Sequence, residues 1–336
     1  MSFIPAPGWK AQAGQSEYRK EQKMSVFDYK YERDFNPIPP AEVALPTVTA
    51  ERFVKVSDKR PFHLEGIVFD RTGNTMYFNA TDIGRVFRMD MATKKVEEIW
   101  TDPTVRSFGI KLHRDGRIFV GCFPTGKPDS RDGGIIVLSP EGKELAYMCE
   151  GVHIDDFAFD KSGGFYFTHF VGDLYNRIGA VYHMDADMKT VTTFAKNLAA
   201  PNGIALSPDE KVLWITEYNG GRLLRVPTGG GWSSAPYAFT GYHGPDSCET
   251  DGDGNLYVAL TFQGRILIFN RDGFPIGQVL MPDRDKGHNL IGTHATVRPG
   301  TRELYISCSD DETDEGSWIM KAEAFAEPNM NAFPFT

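Results

Sequence analysis

Alternating apolar and polar positions recur in six short segments of the chain, which are spaced 43 to 47 residues apart. Each segment continues through a turn rich in Gly, Asp, Asn or Pro into a strongly apolar stretch, and this order predicts a β-hairpin. A period of about 40 to 50 residues with several strands per repeat is typical of a β-propeller. The six segments begin at Glu65, Phe108, Asp155, Asn202, Asp246 and Thr293. We therefore predict an all-β fold, a six-bladed β-propeller.

A further alternating stretch follows the hairpin in five repeats and predicts the third strand of a four-stranded blade. These stretches begin at Gly84, Gly134, Gly179, Gly221 and Gly264. One more strand is predicted over 48–56, ahead of the first repeat. Propellers avoid an open edge by pairing strands from both chain ends in one blade, so this strand is expected to close the last blade.

Residues 1–46 are polar, charged and interrupted by proline, with no sustained period of either 2 or 3.6 residues. We expect them to form an N-terminal extension that is wrapped on the surface or partly disordered. Residues 47–336 then form one catalytic propeller domain. Long connectors within it, at 123–133, 169–177 and 281–292, are candidates for recognition loops.

The formal net charge of −9 argues against a nucleic-acid or anionic-membrane partner, since either needs clustered Lys and Arg. No stretch approaches the roughly 18 apolar residues of a membrane span, and the first residues lack the layout of a signal peptide, so a cytoplasmic location is expected. The four cysteines lie in different repeats without CxxC spacing, which favours free thiols over zinc or disulfides. The oligomeric state is left open.

The first residue of each repeat is expected to occupy the same place, at the start of an inner strand beside the central channel. Four of these six residues supply a carboxylate or carboxamide oxygen: Glu65, Asp155, Asn202 and Asp246. Such residues are also common in turns, but three carboxylates buried around one axis are tolerated mainly when a cation is present. Hard oxygen donors favour Ca²⁺, then Mg²⁺ or Mn²⁺, over Zn²⁺. The pattern predicts a divalent metal site on the axis.

Several of these phrases resemble the SMP-30/gluconolactonase family of six-bladed propellers, and its bacterial lactonase branch in particular. The phrases are Leu64-Glu65-Gly66, Ile154-Asp155-Asp156, Pro201-Asn202-Gly203-Ile204-Ala205 and Gly244-Pro245-Asp246-Ser247. The resemblance covers nearly the whole chain beyond residue 46. It implies one divalent cation held by Glu65, Asn202 and Asp246, with Asp155 at or beside it and Ser247 as a further ligand. The branch also has a second, structural calcium, for which the stretch 146–152 here offers only one acid, Glu150.

The expected activity is opening of a lactone, a cyclic ester, by water that the metal activates. Asp246 is assigned as the base that takes the water proton, a role that the resemblance also implies. Asp155 is expected to orient the water or to protonate the leaving alkoxide. Candidates for substrate contact are Phe108 and Thr293 at the two remaining channel positions, and His243 and His294 beside them.

The same metal platform suits other chemistry, because fold and metal do not fix the substrate. A hydrolase of phosphotriesters or fluorophosphates is one alternative, and an enzyme of secondary metabolism acting on another carbonyl substrate is a second. A non-enzymatic calcium-binding propeller is a third, but it would place its recognition residues on the outer faces rather than in the channel. The favoured partner remains a small-molecule lactone or ester.

Overall fold

The computed structural model describes residues 37–58, 62–241, 243–310 and 316–332. In it, the alternating residues of each of the six repeats form the two antiparallel inner strands of a small sheet. The described residues all belong to one compact unit, Asp34–Thr336. The six sheets confirm the prediction of a six-bladed β-propeller. Most of the predicted extension, residues 1–36, lies outside the described residues.

A short helix and two strands precede the first repeat: α1 (Pro40–Val43), β1 (Thr47–Thr49) and β2 (Glu51–Ser57). The first blade contains β3 (Leu64–Phe69), β4 (Thr75–Ala80), β5 (Gly84–Asp90) and β6 (Val96–Asp102). The second contains β7 (Val105–Leu112), β8 (Ile118–Pro124), β9 (Gly134–Leu138) and β10 (Glu144–Met148). The third contains β11 (Phe157–Phe159), β12 (Phe165–His169), β13 (Gly179–Met184) and β14 (Val191–Leu198).

The fourth blade contains β15 (Pro201–Leu206), β16 (Val212–Glu217), β17 (Arg222–Pro227) and β18 (Ser234–Ala238). The fifth contains β19 (Pro245–Thr250), β20 (Leu256–Leu260), β21 (Arg265–Phe269) and β22 (Pro275–Leu280), and the sixth β23 (Ile291–Val297), β24 (Glu303–Asp310) and β25 (Gly316–Glu323). Short 3₁₀ turns occupy Arg284–Lys286 and Met330–Ala332. Inner strands such as β15 and β19 are buried along their whole length, whereas the outer strands are largely exposed.

The ring closes through the segment before the first repeat. Strand β2 pairs antiparallel with β25 and completes the sixth blade, which confirms the predicted closure. The predicted single strand over 48–56 is two strands, because β1 instead pairs parallel with β22 as a fifth strand of the fifth blade. Ala50 lies between them, buried, and its backbone N–H donates to the Leu280 carbonyl at 2.9 Å. The segment from β1 to β2 therefore pairs with the outer edges of two neighbouring blades.

The helix α1 is fixed to the fifth blade by a buried carboxylate. Glu42, only 2% exposed, forms an ion pair with Arg265 and accepts a hydrogen bond from the Tyr237 hydroxyl. The Gln278 side-chain amide donates to the Glu42 carbonyl at 3.1 Å. Because both members of the ion pair are buried, the helix and the blade depend on each other for compensation of charge.

Candidate active site at the channel mouth

A cavity of about 230 Å³ opens where the inner strands begin, on the propeller axis. The six residues that begin the repeats all line it: Glu65, Phe108, Asp155, Asn202, Asp246 and Thr293. The remaining lining residues are His63, Thr81, Arg106, Phe123, Phe170, Tyr218, Thr261, Phe262 and Ile291. The structure therefore brings the predicted channel residues together in one cavity.

The channel residues sit at irregularities of the inner strands. The pairing register shifts between Glu65 and Ile67 in β3, and equivalent shifts occur at the same place in β7, β15, β19 and β23. In the third blade, Asp155 precedes β11. A bulge bends its strand and redirects a side chain, and here the redirected side chains line the cavity.

The glycines that follow three channel residues allow the inner strands of adjacent blades to approach closely. A Cβ atom on Gly109 would lie 2.5 Å from the Asp155 carbonyl oxygen. A Cβ on Gly203 would lie 2.6 Å from the Cys248 backbone nitrogen and 2.7 Å from the Asp246 carbonyl oxygen. Gly66 adds a positive φ of 49° to the same crowding. These contacts explain why these three repeats place glycine directly after the channel residue.

We expect Gly203→Ala to destabilise the protein by about 1–3 kcal/mol, because the new methyl group overlaps the backbone of the neighbouring blade. Urea unfolding measures this free energy. Gly229→Ala is the matched control, since a Cβ there has no neighbour within 4 Å and its φ is not positive. Equal stability of the two variants would show that β15 and β19 can separate without cost.

The three carboxyl groups of the cavity are buried, with Glu65, Asp155 and Asp246 at most 7% exposed. Burial raises the pKa of each above its usual range, and the neighbouring carboxylates raise it further. For Glu65 the strongest neighbour is Asp246, for Asp246 it is Asp155, and for Asp155 it is Glu65. The three acids are therefore one electrostatic unit that a cation would stabilise.

Hydrogen bonds fix the orientation of two of these carboxylates. The backbone N–H of Ser247 donates to Asp246 Oδ1 at 3.0 Å, and that of Gly66 donates to Glu65 Oε1 at 2.9 Å. The Ser247 hydroxyl lies 3.5 Å from the same Glu65 oxygen. The side chain of Asn202 also hydrogen-bonds to the Asp246 carboxylate and that of Thr293 to the Glu65 carboxylate, and both bonds lower the pKa of the acid.

The amide of Asn202 carries an additional sign of a ligand site. Its Oδ1 atom is buried and has no hydrogen-bond partner among the described residues. A buried oxygen without a partner is unfavourable by about 1–3 kcal/mol, unless a ligand satisfies it. Together with three mutually repelling carboxylates, this oxygen fits the donor set that a hard divalent cation requires.

In the described part of the chain, no three His, Cys, Asp or Glu side chains are close enough together to hold a metal ion as they stand. The donors fit such an ion chemically, with two or three carboxylates supplemented by an amide oxygen. Binding would therefore require the side chains of Glu65, Asp155 and Asp246 to turn toward a common centre.

Aromatic side chains form a continuous arc around one side of the cavity mouth. The rings of Phe108 and Phe123 stack at 4.0 Å, and Phe170 lies 5.7 Å from Phe123. Tyr218 follows at 5.6 Å from Phe170. Phe170 belongs to a long connector that the sequence had marked as a candidate recognition loop, whereas Phe123, the first residue of another such predicted connector, still lies on β8. We call the rings of Phe108, Phe123, Phe170, Tyr218 and Phe262 the aromatic arc.

The two candidate histidines lie in different surroundings. His243 supports the aromatic arc, because its Nδ1 is 2.7 Å from the Tyr218 hydroxyl and its ring stacks on Phe262 at 4.2 Å. His294 is fully buried, and its Nε2 lies 3.5 Å from Glu249 Oε2. Thus His243 stands behind the cavity wall, and the ring of His294 contacts a separate group of charged residues.

That separate group, which we call the ion cluster, consists of Lys111, Asp156, Glu249 and His294. Lys111 Nζ forms an ion pair with Glu249 Oε2 at 2.8 Å, and each member is at most 7% exposed. Burial alone would raise the pKa of Glu249, but Lys111 and His294 outweigh it and lower that pKa. Burial raises the pKa of Asp156, which Lys111 partly opposes. The ammonium of Lys111 is therefore the permanent positive charge of this cluster.

The residues that the sequence interpretation missed stand at fixed offsets from the channel positions. His63, Arg106 and Ile291 each precede a channel residue by two places and line the cavity mouth. Lys111 and Glu249 each follow one by three places and belong to the ion cluster. Extending the comparison of repeats to these offsets would have found them.

Comparison with known proteins agrees with this architecture. Residues 148–308 match the SMP-30/gluconolactonase/LRE-like region. A lactonase drp35 of Staphylococcus saprophyticus is 43% identical over 324 residues, which is 92% of this chain and 98% of that protein. A lactonase drp35 of Staphylococcus aureus (strain MRSA252) is 42% identical over 301 residues, 85% of this chain and 90% of that one.

A crystal structure of the calcium-binding protein regucalcin from Agrobacterium tumefaciens has the same fold. It superposes with a TM-score of 0.67 at 16% identity, over 84% of this chain and 98% of that one. The fold and the cavity define a six-bladed propeller with an acidic site at the channel mouth. The chain belongs to the SMP-30/gluconolactonase/LRE-like family, which confirms the resemblance seen in the sequence.

Among the described residues, no helix combines the length and the apolar character that crossing a membrane would demand.

Proposed function

We propose that the protein hydrolyses a lactone in the cavity at the channel mouth, with one divalent cation, Ca²⁺ by preference, held by Glu65, Asp155, Asn202 and Asp246. The observation that carries this proposal is the convergence of three buried carboxylates and an unpartnered amide oxygen in one cavity. The relatives named lactonase drp35 support the reaction type, and regucalcin, a calcium-binding protein of the same fold, supports the choice of ion. Ser247, whose hydroxyl is near Glu65, is a further candidate ligand.

A bound divalent cation would polarise the lactone carbonyl and lower the pKa of an attacking water. We assign the uptake of the water proton to Asp246, whose carboxylate is held by the Ser247 N–H and by the Asn202 side chain. The water oxygen bonds to the carbonyl carbon, and the ring C–O bond then breaks. Asp155, whose pKa is raised by burial and by Glu65, would give a proton to the leaving alkoxide.

The surroundings of the acids favour a flat, apolar substrate. The aromatic arc offers stacking surfaces, and stacked rings add about 0.5–1.5 kcal/mol beyond the area that they bury. The hydroxyl groups of the lining are those of Thr81, Tyr218, Thr261 and Thr293, beside the Asn202 amide and the His63 ring. A lactone that bears or is fused to an aromatic ring therefore suits this cavity better than a polyhydroxylated sugar lactone.

A substrate panel tests this proposal. Benzo-fused and alkyl δ-lactones, sugar lactones, aryl esters and a fluorophosphate are to be compared by kcat/KM, each with Ca²⁺, Mg²⁺ and Mn²⁺. We expect the benzo-fused lactone to be hydrolysed fastest. Preferential hydrolysis of the fluorophosphate would replace the lactonase assignment with that of a phosphotriesterase.

Removal of divalent ions is expected to abolish lactone hydrolysis and to lower the melting temperature in the same titration. The stability falls because the three acids then repel each other, and because a ligand bound only by the folded state stabilises it, by about 2.7 kcal/mol at 100 times its Kd. Differential scanning calorimetry with and without excess EDTA measures the shift. An unchanged melting temperature in a sample shown to contain no metal would contradict the link between the ion and the acids.

A further inference from the structure

Arg106 supplies a positive charge at the cavity mouth that the proposed hydrolysis does not use. It lies on β7, two residues before Phe108, and is half-buried. Among the described residues that line the cavity, it is the only Lys or Arg. Its positive charge acts on Asp155 and partly opposes the rise in the pKa of that acid.

The guanidinium is held in place without being neutralised by direct contact. Its Nε donates to the Thr81 carbonyl at 3.2 Å, and its charge lies 5.3 Å from the centre of the Phe108 ring. Phe108 is itself stacked on Phe123. No carboxylate among the described residues forms an ion pair with Arg106. Its two terminal nitrogens therefore keep their four N–H donors for a ligand.

This arrangement suits recognition of a carboxylate. A guanidinium binds a carboxylate through two parallel hydrogen bonds, and such charge-assisted bonds are about twice as strong as neutral ones. The cation–π contact and the Thr81 hydrogen bond restrict the side chain in advance, which reduces the entropy lost on binding. A carboxylate bound there would share the positive charge of Arg106 with Asp155.

We propose that Arg106 binds a carboxylate that the substrate carries outside its lactone ring, so the preferred substrates are lactones with an anionic substituent. This inference rests on the proposed lactonase function for its substrate class. The reacting ring would lie beside Asp155 and Asp246, and the aromatic arc would cover its apolar part.

The kinetic test compares a benzo-fused δ-lactone with the same lactone carrying a ring carboxylate. The calcium-loaded wild type is expected to show a KM for the anionic lactone that is about 10- to 100-fold lower. Arg106→Gln is expected to remove this difference, and Arg106→Lys to restore only part of it, since an ammonium cannot bind the carboxylate through a planar pair. Arg85→Gln is the matched control, because Arg85 pairs with Glu98 and does not line the cavity.

A binding measurement separates this inference from the proposed function. Calorimetry with the corresponding lactams, which are hydrolysed far less readily, compares the Kd of the neutral and carboxylate-bearing forms for wild type and Arg106→Gln. A preference for the carboxylate that depends on Arg106 supports the inference even if no lactone is hydrolysed. Equal Kd values in the wild type would overturn it. A loss of kcat/KM in Arg106→Gln that is the same for both lactones would also overturn it, since Arg106 would then act at the reacting carbonyl.

Discussion

Replacing Asp246 with Asn is expected to lower kcat for lactone hydrolysis by about 10²- to 10⁴-fold. Asn is nearly isosteric with Asp and keeps one oxygen that can coordinate a cation, but it cannot accept a proton at neutral pH. The hydrogen bond from the Ser247 N–H to Oδ1 can be kept in the variant, so the local backbone should remain in place. Steady-state kinetics across a calcium titration measures the loss, which added calcium should not repair.

Glu65→Gln is the matched comparison, because it also removes one negative charge from the cavity but leaves the assigned base intact. Its main defect is expected to be weaker binding of the cation, which added Ca²⁺ partly restores. In the absence of metal, this variant should melt at a higher temperature than the wild type, since it relieves the repulsion between Glu65 and Asp246. Full rescue of Asp246→Asn by calcium would make Asp246 a ligand only and would move the base to Asp155.

Lys111→Met is expected to destabilise the protein by about 3–5 kcal/mol, which is a large part of the about 5–15 kcal/mol that stabilises a typical domain. The substitution leaves the Glu249 and Asp156 carboxylates buried without their permanent counter-charge. Urea unfolding of the metal-loaded protein measures the difference in free energy.

Lys143→Met serves as the control, because Lys143 is exposed in the turn between β9 and β10 and its loss should change stability by no more than about 0.5 kcal/mol. The double variant Lys111→Met/Glu249→Gln is expected to recover part of the lost stability, since one of the uncompensated charges is removed. If Lys111→Met were as stable as Lys143→Met, Lys111 would not be needed to compensate the buried carboxylates of the ion cluster.

The fold could be predicted because its signal, the repeat of an alternating strand and a turn, is local and does not depend on long-range packing. Each repeat carries its own alternation and its own turn, so the six hairpins and the third strands could be located without knowledge of their partners. The split of 48–56 into β1 and β2 could not be predicted, because a parallel pairing with β22 leaves no local signal. It depends on contacts with residues more than 200 positions away.

The candidate site was predictable to the extent that the repeats are equivalent. Five of the six channel positions reach the cavity through the same irregularity at the start of an inner strand, and Asp155 reaches it from just before β11. The environment of His294 was not predictable, since a neighbour of a channel residue can face away from the cavity, and here its ring contacts Glu249. The aromatic arc depends on connectors such as the one that carries Phe170, whose paths are not set by the repeat.

The central claim is that Glu65, Asp155, Asn202 and Asp246 hold one divalent cation that lactone opening requires. The most direct measurement is a calorimetric calcium titration of protein shown to be free of divalent ions, with hydrolysis of the benzo-fused δ-lactone followed at each point. The account predicts one ion per chain at this cavity, an affinity that Glu65→Gln weakens, and hydrolysis that rises in proportion to occupancy. Full hydrolysis by the metal-free protein, or an affinity that Glu65→Gln leaves unchanged, would contradict it.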